Sequence, residues 1–166
     1  MDAARHHALV AIARRWVQAG WSAGTGAGGR IVDELHAPGF IDHDSGGRPP
    51  DNAGFREGIV RLLAAFPDLQ ATLRDTVVEV DAAPAAAGAA PGGAGTGDGP
   101  AAVSGTVTAR WTAIGTHRGP YLGAEPTGRR IVFKGIEIIH IRDGRITERW
   151  GEWDGLELLA QLGRLP

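Results

Sequence analysis

The apolar residues of this chain change from helical to strand spacing near Pro67, and that change constrains the fold more than any other feature. Before Pro67, apolar residues recur every three or four positions, which is the period of an amphipathic helix. After it, β-branched residues partly alternate with polar ones in segments bounded by turn residues, which is typical of β-strands. A chain that forms helices first and strands afterwards is expected to fold as an α+β domain.

Three helices are predicted before Pro67. The first covers residues 4–19 and has one apolar stripe, made of Leu9, Ile12, Ala13, Trp16 and Val17. A short second helix is expected at residues 31–35 and ends at "APGF". "FIDHDSGGRPPDN" is then a polar, turn-rich connection, and Asn52 is the expected N-cap of the third helix.

Four strands are predicted after Pro67: "LQATLRDTVVEV", "AVSGTVTARWTAIGTH", "GRRIVFKGIEIIHI" and "RITERWGEW". "RDGR" between the last two predicts a tight hairpin, because Asp-Gly suits the positive φ angles of such turns. "DGLELLAQLG" predicts a short terminal helix with Gly163 at its C′ position. We expect a strongly curved antiparallel sheet with the helices covering one face.

The segment of residues 82–102 interrupts this pattern. Every residue in it except Thr96 and Asp98 is Ala, Gly or Pro. Such a segment buries too little apolar surface to offset its ordering entropy, so it is predicted to be a flexible hairpin loop. The chain of 166 residues otherwise suits a single domain.

Composition and missing motifs exclude several classes of function. A net charge of -2 gives no electrostatic attraction to nucleic acid or an anionic membrane. Without cysteine there is no disulfide and no thiolate nucleophile. No apolar run of membrane-spanning length and no secretory leader is recognisable, so we expect a cytoplasmic protein. Metal-ligand spacings, a nucleophile elbow and a dinucleotide-binding context for "GTGAGG" are also missing, so neither metal nor cofactor is expected.

Asp154 is the first candidate for chemistry. Asp154 and Glu157 form a capping-box pattern, so the ordinary role of Asp154 is to cap the terminal helix. A carboxyl group between Trp150, Trp153 and a cavity would also be partly desolvated. Desolvation raises a carboxyl pKa and makes the group a usable general acid or base near neutral pH. The two roles are compatible.

His140 is the second candidate. A single histidine within a strand is more often structural than catalytic. The predicted hairpin, however, places its strand beside the one that leads to Asp154, and His140 is expected to pair near Thr147. His140, Trp150 and Asp154 share even parity, so their side chains can point to the same side. A His–Asp pair across one cavity is therefore geometrically possible.

Weaker candidates share an ambiguous setting. A Gly- and Pro-rich loop and the "FIDHD" segment could each line the mouth of a pocket or form a solvated turn, and the "TARWTA" strand could face the pocket or the opposite surface. These candidates are His117, His43, Arg110 and Trp111. Pairing of Lys134 or Arg130 with Glu137 or Glu148 is expected to be a solvated cross-strand ladder.

The strand that contains His140 has apolar residues on both faces. One face carries Ile131, Phe133, Ile139 and Ile141, and the other carries Val132, Ile136 and Ile138. One face can cover the interior while the other packs against a partner subunit. A homodimer or homotetramer is therefore expected.

Four segments together resemble the SnoaL-like polyketide cyclases, within the nuclear transport factor 2-like superfamily: "FIDHD", "GFREGIVRLLAAFPDL", "GTHRGPYLGAEPTGRRI" and "FKGIEIIHIRDGRITERWGEWDGLELLAQLG". The resemblance spans nearly the whole chain apart from the Ala/Gly-rich insertion. It implies an α+β cone, in which helices wrap a curved antiparallel sheet around a deep, largely apolar pocket.

The resemblance also implies a reaction. In such cyclases the aspartate after the Glu-x-Trp strand is the general acid/base of an intramolecular aldol ring closure, and Asp154 matches it. A histidine one strand earlier matches His140, as a donor to the oxyanion or as the group that orients the donor. Trp150, Trp153 and Phe40 would form walls for a planar, polyketide-like substrate. An aromatic polyketide ester delocalises its own enolate, so such a site needs no metal or cofactor.

Other functions fit the same fold, because one fold hosts several activities. An isomerase, an epoxide hydrolase or a hydroxylation partner would also use a pocket carboxylate. An epoxide-opening site is expected to contain an Asp–Arg–Asp-like set around a water, and Arg110 with Asp154 leaves that open. A non-catalytic binding module would keep the apolar pocket without an ionisable Asp154.

Overall fold

The change from helical to strand periodicity is reproduced in the computed structural model, which describes residues 2–24, 29–82 and 103–165. The predicted loop at residues 82–102 therefore lies, apart from Ala82, outside the described residues. The helices are α1 (Asp2–Gly20), α2 (Arg30–Leu35), α3 (Asn52–Ala65) and α4 (Gly155–Gln161). The strands are β1 (His36–Asp42), β2 (Gln70–Val80), β3 (Gly105–Thr116), β4 (Arg130–Arg142) and β5 (Arg145–Trp153).

The apolar stripe of α1 packs on the sheet. Leu9, Ala13 and Trp16 are fully buried and lie three or four residues apart, so their side chains share one face of the helix. Burying a leucine side chain contributes about 1.5–3 kcal/mol relative to leaving it exposed. This contact holds α1 across β2 and β3.

The N-cap of α3 is Asp51 and not Asn52. The backbone of Asp51 is extended, and its carboxyl oxygen accepts a hydrogen bond from the backbone N–H of Gly54 at 2.9 Å. The Asn52 side chain instead donates to the carbonyl of Ala37 at 2.9 Å. The prediction is wrong by one residue because Asp and Asn cap equally well, and tertiary contacts of Asn52 decide between them. The helix ends at Ala65, two residues before Pro67.

The five strands form one curved, unclosed sheet in the order β1-β5-β4-β3-β2. Strands β2 to β5 pair antiparallel, whereas β1 pairs parallel with β5. The sheet is therefore mixed, which corrects the expectation of an all-antiparallel one. The periodicity does not indicate β1 because it contains Pro38 and Gly39, two residue types that are uncommon inside strands.

The β4–β5 hairpin turns at Asp143–Gly144, as predicted. Both residues have positive φ angles, 49° and 75°, which a type I′ turn requires. One residue of β5, Thr147, is then bulged, so that His140 pairs with Glu148 and not with Thr147.

The two faces of β4 differ in burial, as the sequence predicts. Ile131, Phe133, Ile139 and Ile141 are buried on the face that the helices cover, which we call the inner face. Val132, Ile136 and Ile138 are between 36% and 51% exposed on the opposite face, which we call the outer face.

Helix α4 covers the open edge of β4 beyond the end of β5. The Gln161 side chain bonds both the N–H and the C=O of Val132, at 2.8 and 2.9 Å, and so replaces the hydrogen bonds of a neighbouring strand. Gly163 has a φ of 74° and follows the C-cap, as predicted.

Candidate functional site

A groove of about 360 Å³ lies where β5 ends. Gly135 pairs with Trp111 on one side and with Trp153 on the other, so two indoles flank a position without a side chain. The groove therefore has aromatic walls and a charged rim. It is lined by Arg110, Trp111, Thr112, Lys134, Gly135, Ile136, Glu152, Trp153 and Asp154.

Asp154 is exposed at the rim of this groove and also caps α4. Its Oδ1 accepts a hydrogen bond from the backbone N–H of Glu157 at 3.0 Å, so the cap prediction is confirmed. Its own N–H donates to the carbonyl of Lys134 at 3.0 Å. The hydrogen bond and charge of Glu157, and then the charge of Asp154, raise the pKa of Lys134. Asp154 thus shares the groove with a cation.

Arg110 lines the groove and forms an ion pair with Asp75. Its guanidinium donates to the carboxylate of Asp75 on β2, at 2.7 Å from Nε. Arg110 therefore has a carboxylate partner, Asp75, while it lines the same groove as Asp154.

His140 lies far from Asp154 along β4. Asp154 is opposite Lys134, and His140 is six positions further along the strand than Lys134. At about 3.3 Å per residue, this corresponds to roughly 20 Å. The structure therefore does not bring His140 and Asp154 to one cavity. The side chains of His140 and Trp150 do point to the same side of the sheet, as their shared parity predicts, and their rings lie 4.8 Å apart.

His140 belongs instead to a cluster with His43, Glu148 and Trp150, which we call the histidine cluster. Glu148 lies 2.9 Å from His43 Nε2 and 3.5 Å from His140 Nδ1. The His43 ring stacks on Trp150 at 4.2 Å and an interplanar angle of 4°. The hydrogen bond from His43 is the main reason why the pKa of Glu148 is lowered. The cluster therefore holds a carboxylate between two imidazoles.

Phe40 and His117 are buried in the interior. Phe40 is 2% exposed and packs against Phe55. His117 is fully buried, so it is not a solvated turn residue. The backbone N–H of Thr127 donates to His117 Nδ1 at 3.2 Å, which places the ring proton of neutral His117 on Nε2. Among the residues that the structure describes, none bonds that Nε2.

A buried set of charges on the inner face of the sheet is missed by the sequence analysis. Arg149 donates through Nε to Glu137 Oε2 and through Nη1 to Asp42 Oδ1, both at 2.8 Å. Glu137 and Asp42 are each 1% exposed. Arg48 donates to the other oxygen of Asp42 at 3.1 Å. Glu137 Oε1, by contrast, accepts no hydrogen bond of normal geometry from residues 2–24, 29–82 and 103–165.

The prediction of Glu137 in a solvated ladder is therefore wrong. Lys134 pairs instead with Glu157. Burial raises the pKa of Glu137, while the charge and hydrogen bond of Arg149, and the nearby indole N–H of Trp111, oppose this rise. The alternation of β4 could have indicated the burial, since Glu137 has the parity of Ile139.

The described part of the chain, residues 2–24, 29–82 and 103–165, contains no group of three His, Cys, Asp or Glu side chains placed to hold a metal ion. Among the helices of these same residues, none is long and apolar enough to cross a membrane.

Residues 101–162 match the family model of the SnoaL-like polyketide cyclases. The matched stretch contains α4 and the strands β3, β4 and β5, which line the groove. No curated protein sequence matches the chain.

Solved structures resemble the chain over nearly its whole length. TsrD from Streptomyces laurentii is 27% identical, with a TM-score of 0.68 and coverage of 99% of both chains. A candidate polyketide cyclase from Bacillus cereus is 26% identical, with a TM-score of 0.67 and coverage of 96% of this chain and 83% of that one. AclR from Streptomyces galilaeus, a candidate hydroxylase, is 24% identical, with a TM-score of 0.68 and coverage of 99% and 87%, and this likeness concerns the fold alone.

The resemblance inferred from the sequence is therefore confirmed: the chain has the nuclear transport factor 2-like fold, and its C-terminal strands and helix carry the SnoaL-like polyketide cyclase pattern.

Proposed function

We propose that the chain catalyses an intramolecular aldol-type ring closure of a polyketide-derived ester without a cofactor. In this reaction Asp154 takes a proton from the carbon next to a substrate carbonyl. The enolate carbon then attacks a second carbonyl of the same molecule, and Asp154 returns the proton to the resulting alkoxide. The product is an isomer of the substrate, so no atom or electron is gained or lost.

The observation that carries this proposal is the position of Asp154 at the rim of a groove with two tryptophan walls. The helix cap fixes the carboxyl group through Oδ1. The indoles of Trp111 and Trp153 suit the faces of a planar ligand. The match of residues 101–162 to the polyketide cyclase model supports the reaction class.

In this proposal Lys134, and not His140, stabilises the oxyanion. His140 lies in the histidine cluster, at the other end of β4, whereas the Lys134 side chain lines the groove beside Asp154. An ammonium group aimed at a developing oxyanion stabilises the transition state. We therefore propose Asp154 for proton transfer and Lys134 for charge stabilisation.

The variant Asp154→Asn tests this proposal, because asparagine caps a helix as well as aspartate but has no ionisable carboxyl group. We expect turnover of a polyketide ester to fall by roughly 10²–10⁴-fold, the usual contribution of general acid–base catalysis. The melting temperature should stay close to that of the wild type. Glu152→Gln, which removes another carboxylate from the groove lining, is the matched control and should keep most of the activity.

Wild-type turnover by folded Asp154→Asn protein would exclude Asp154 as the acid/base. Recovery of the ester chemically unaltered after long incubation with the wild type would indicate a binding module instead of an enzyme. Product formation that depends on Glu152 and not on Asp154 would show that Glu152 is the acid/base of the reaction.

A further inference from the structure

Lys134 is the only lysine of the sequence, and all the others among its 17 lysines and arginines are arginine. Its side chain lines the groove together with Asp154. A lysine ammonium is a compact charge with three N–H donors at the end of a flexible chain. The direction in which this charge points therefore depends on the group that holds it.

Glu157 holds Lys134 because it departs from the usual capping box. In that motif the glutamate at the third helical position bonds the backbone N–H of the N-cap residue. Here the N–H of Asp154 donates instead to the carbonyl of Lys134 at 3.0 Å. The Glu157 carboxylate forms an ion pair with the Lys134 ammonium, and its backbone N–H donates to Asp154 Oδ1 at 3.0 Å. Glu157 thus contacts both groups that the proposed reaction uses.

Helix α4 is fixed against β4, so the Glu157 carboxylate extends from a rigid base. Leu158 is 1% exposed, and the Gln161 side chain bonds the N–H and the C=O of Val132 at 2.8 and 2.9 Å. Glu157 and Gln161 are four residues apart and therefore share one face of the helix. The face of α4 that carries Glu157 is the one that lies along the edge of β4.

Charged side chains lie around Lys134 on β2, β3, β5 and α4 with its cap. They are Arg74, which donates to the cross-strand partner Thr112, and Arg110, Glu152, Asp154 and Glu157. The hydrogen bond and charge of Glu157, and then the charge of Asp154, raise the pKa of Lys134. Glu157 therefore has the largest influence on the ammonium group.

We infer that Glu157 is a positioning residue, whose carboxylate holds the Lys134 ammonium beside Asp154 so that it can donate to an oxyanion of the substrate. One N–H of Lys134 bonds Glu157, which leaves two for a ligand oxygen. Glu157 does not line the groove and acts only through Lys134. A charge that is in place before the oxyanion forms needs no reorganisation during the reaction. As a statement about catalysis, this inference rests on the proposed function.

Glu157→Gln removes the negative charge but keeps the side-chain length and the backbone N–H that bonds Asp154. The side chains of Lys134 and Glu157 are 51% and 40% exposed. We therefore expect kcat to fall roughly 2- to 5-fold, the range that an exposed ion pair supplies. KM should change little, because the oxyanion forms only in the transition state. The alkaline limb of the pH–rate profile should shift to lower pH, since Lys134 then loses its proton more easily. Glu157→Asp keeps the charge and should restore part of this shift.

The single lysine allows its titration to be measured without turnover. Reductive methylation with carbon-13 formaldehyde labels Lys134 and the α-amine, and both labelled amines remain ionisable. Carbon-13 NMR against pH should give a lower titration midpoint for Lys134 in Glu157→Gln than in the wild type, and Lys134→Arg identifies the resonance. Glu57→Gln, which removes an exposed ion pair with Arg61 on α3, is the matched control and should change neither the midpoint nor kcat.

Equal Lys134 midpoints in the wild type and in Glu157→Gln would overturn the inference. A lowered midpoint with an unchanged kcat would also overturn it, because the ion pair would then be only structural. The NMR titration is independent of the acid/base role of Asp154. A lowered midpoint in Glu157→Gln, together with wild-type turnover by Asp154→Asn, would refute the proposed function and retain the hold of Glu157 on Lys134.

Discussion

His36 shows how burial sets the protonation state of a single residue. It is 3% exposed, and Trp16 donates to its Nε2 at 2.9 Å. The ring proton is therefore on Nδ1, which lies 3.0 Å from the side-chain oxygen of Asn52. Both ring nitrogens are bonded while the ring is neutral. Burial lowers the pKa of His36 from 6.5 to about 4.

This lowered pKa predicts that the protein loses stability between pH 6.5 and about 4. The unfolded chain takes up the proton first as the pH falls, so stability that is fully present above pH 6.5 is lost progressively below it. The whole effect is about 3 kcal/mol, at 1.36 kcal/mol per pKa unit. Urea unfolding from pH 4 to 7 should give a shallower dependence for His36→Gln than for the wild type. Parallel curves for the two proteins would show that another group is responsible.

Local patterns in the sequence predict residue roles only where the role is local. The Asp154–Glu157 spacing predicts the helix cap correctly, because both partners lie within one turn. The separation of Asp154 from His140 does not follow from parity alone, since parity gives the face of a residue but not its distance along the strand. The ion pair of Glu137 with Arg149 depends on how β4 and β5 pair, and the bulge at Thr147 changes that register.

At the level of the strand, the missing side chain of Gly151 leaves room for the Arg149 side chain, which lies over Gly151 and reaches Glu137. A Cβ atom at Gly151 would collide with the Arg149 guanidinium. A flexible arginine could normally move aside. Here Asp42 and Glu137 hold it from two directions, so movement would break buried ion pairs.

Gly151→Ala is therefore expected to lower the free energy of unfolding by roughly 2–4 kcal/mol, near the cost of breaking a buried ion pair. Gly39→Ala in β1 is the matched control, because a Cβ atom there meets open space, and its effect should stay within about 0.5 kcal/mol. Guanidinium chloride unfolding of both variants measures the difference. Equal stabilities would show that Arg149 repacks at no cost.

Strong periodicity decides which elements the sequence predicts. α1, α3 and strands β2 to β5 follow from long apolar patterns, and the β4–β5 turn follows from Asp143–Gly144. β1 is not apparent, because Pro38 and Gly39 interrupt it and because its parallel partner β5 lies about a hundred residues later, as the pairing of Asp42 with Arg149 shows. A pairing of such long sequence separation leaves no local pattern.

For the whole molecule, the outer face of the sheet carries exposed apolar side chains in its middle. Val77, Thr108, Ile138 and Trp150 are successive cross-strand partners and form one row over four strands. Val77 and Ile138 are 71% and 40% exposed. Contiguous exposed apolar surface marks sites of association. We propose that a second copy of the chain covers this row.

Ile138→Lys places a charge in the middle of the row and tests this association. Two copies have a mass of about 35 kDa, twice the 17.3 kDa of one chain, and the variant should return to the mass of one chain in light scattering after size exclusion. Its fold should persist, since a lysine side chain at a half-exposed strand position keeps its ammonium group in water. Val60→Lys, at a 55% exposed position of α3, should leave the association unchanged. A wild type with the mass of one chain, or an Ile138→Lys protein as large as the wild type, would contradict the proposal, because an apolar contact centred on Ile138 cannot bury an unpaired charge without a large cost.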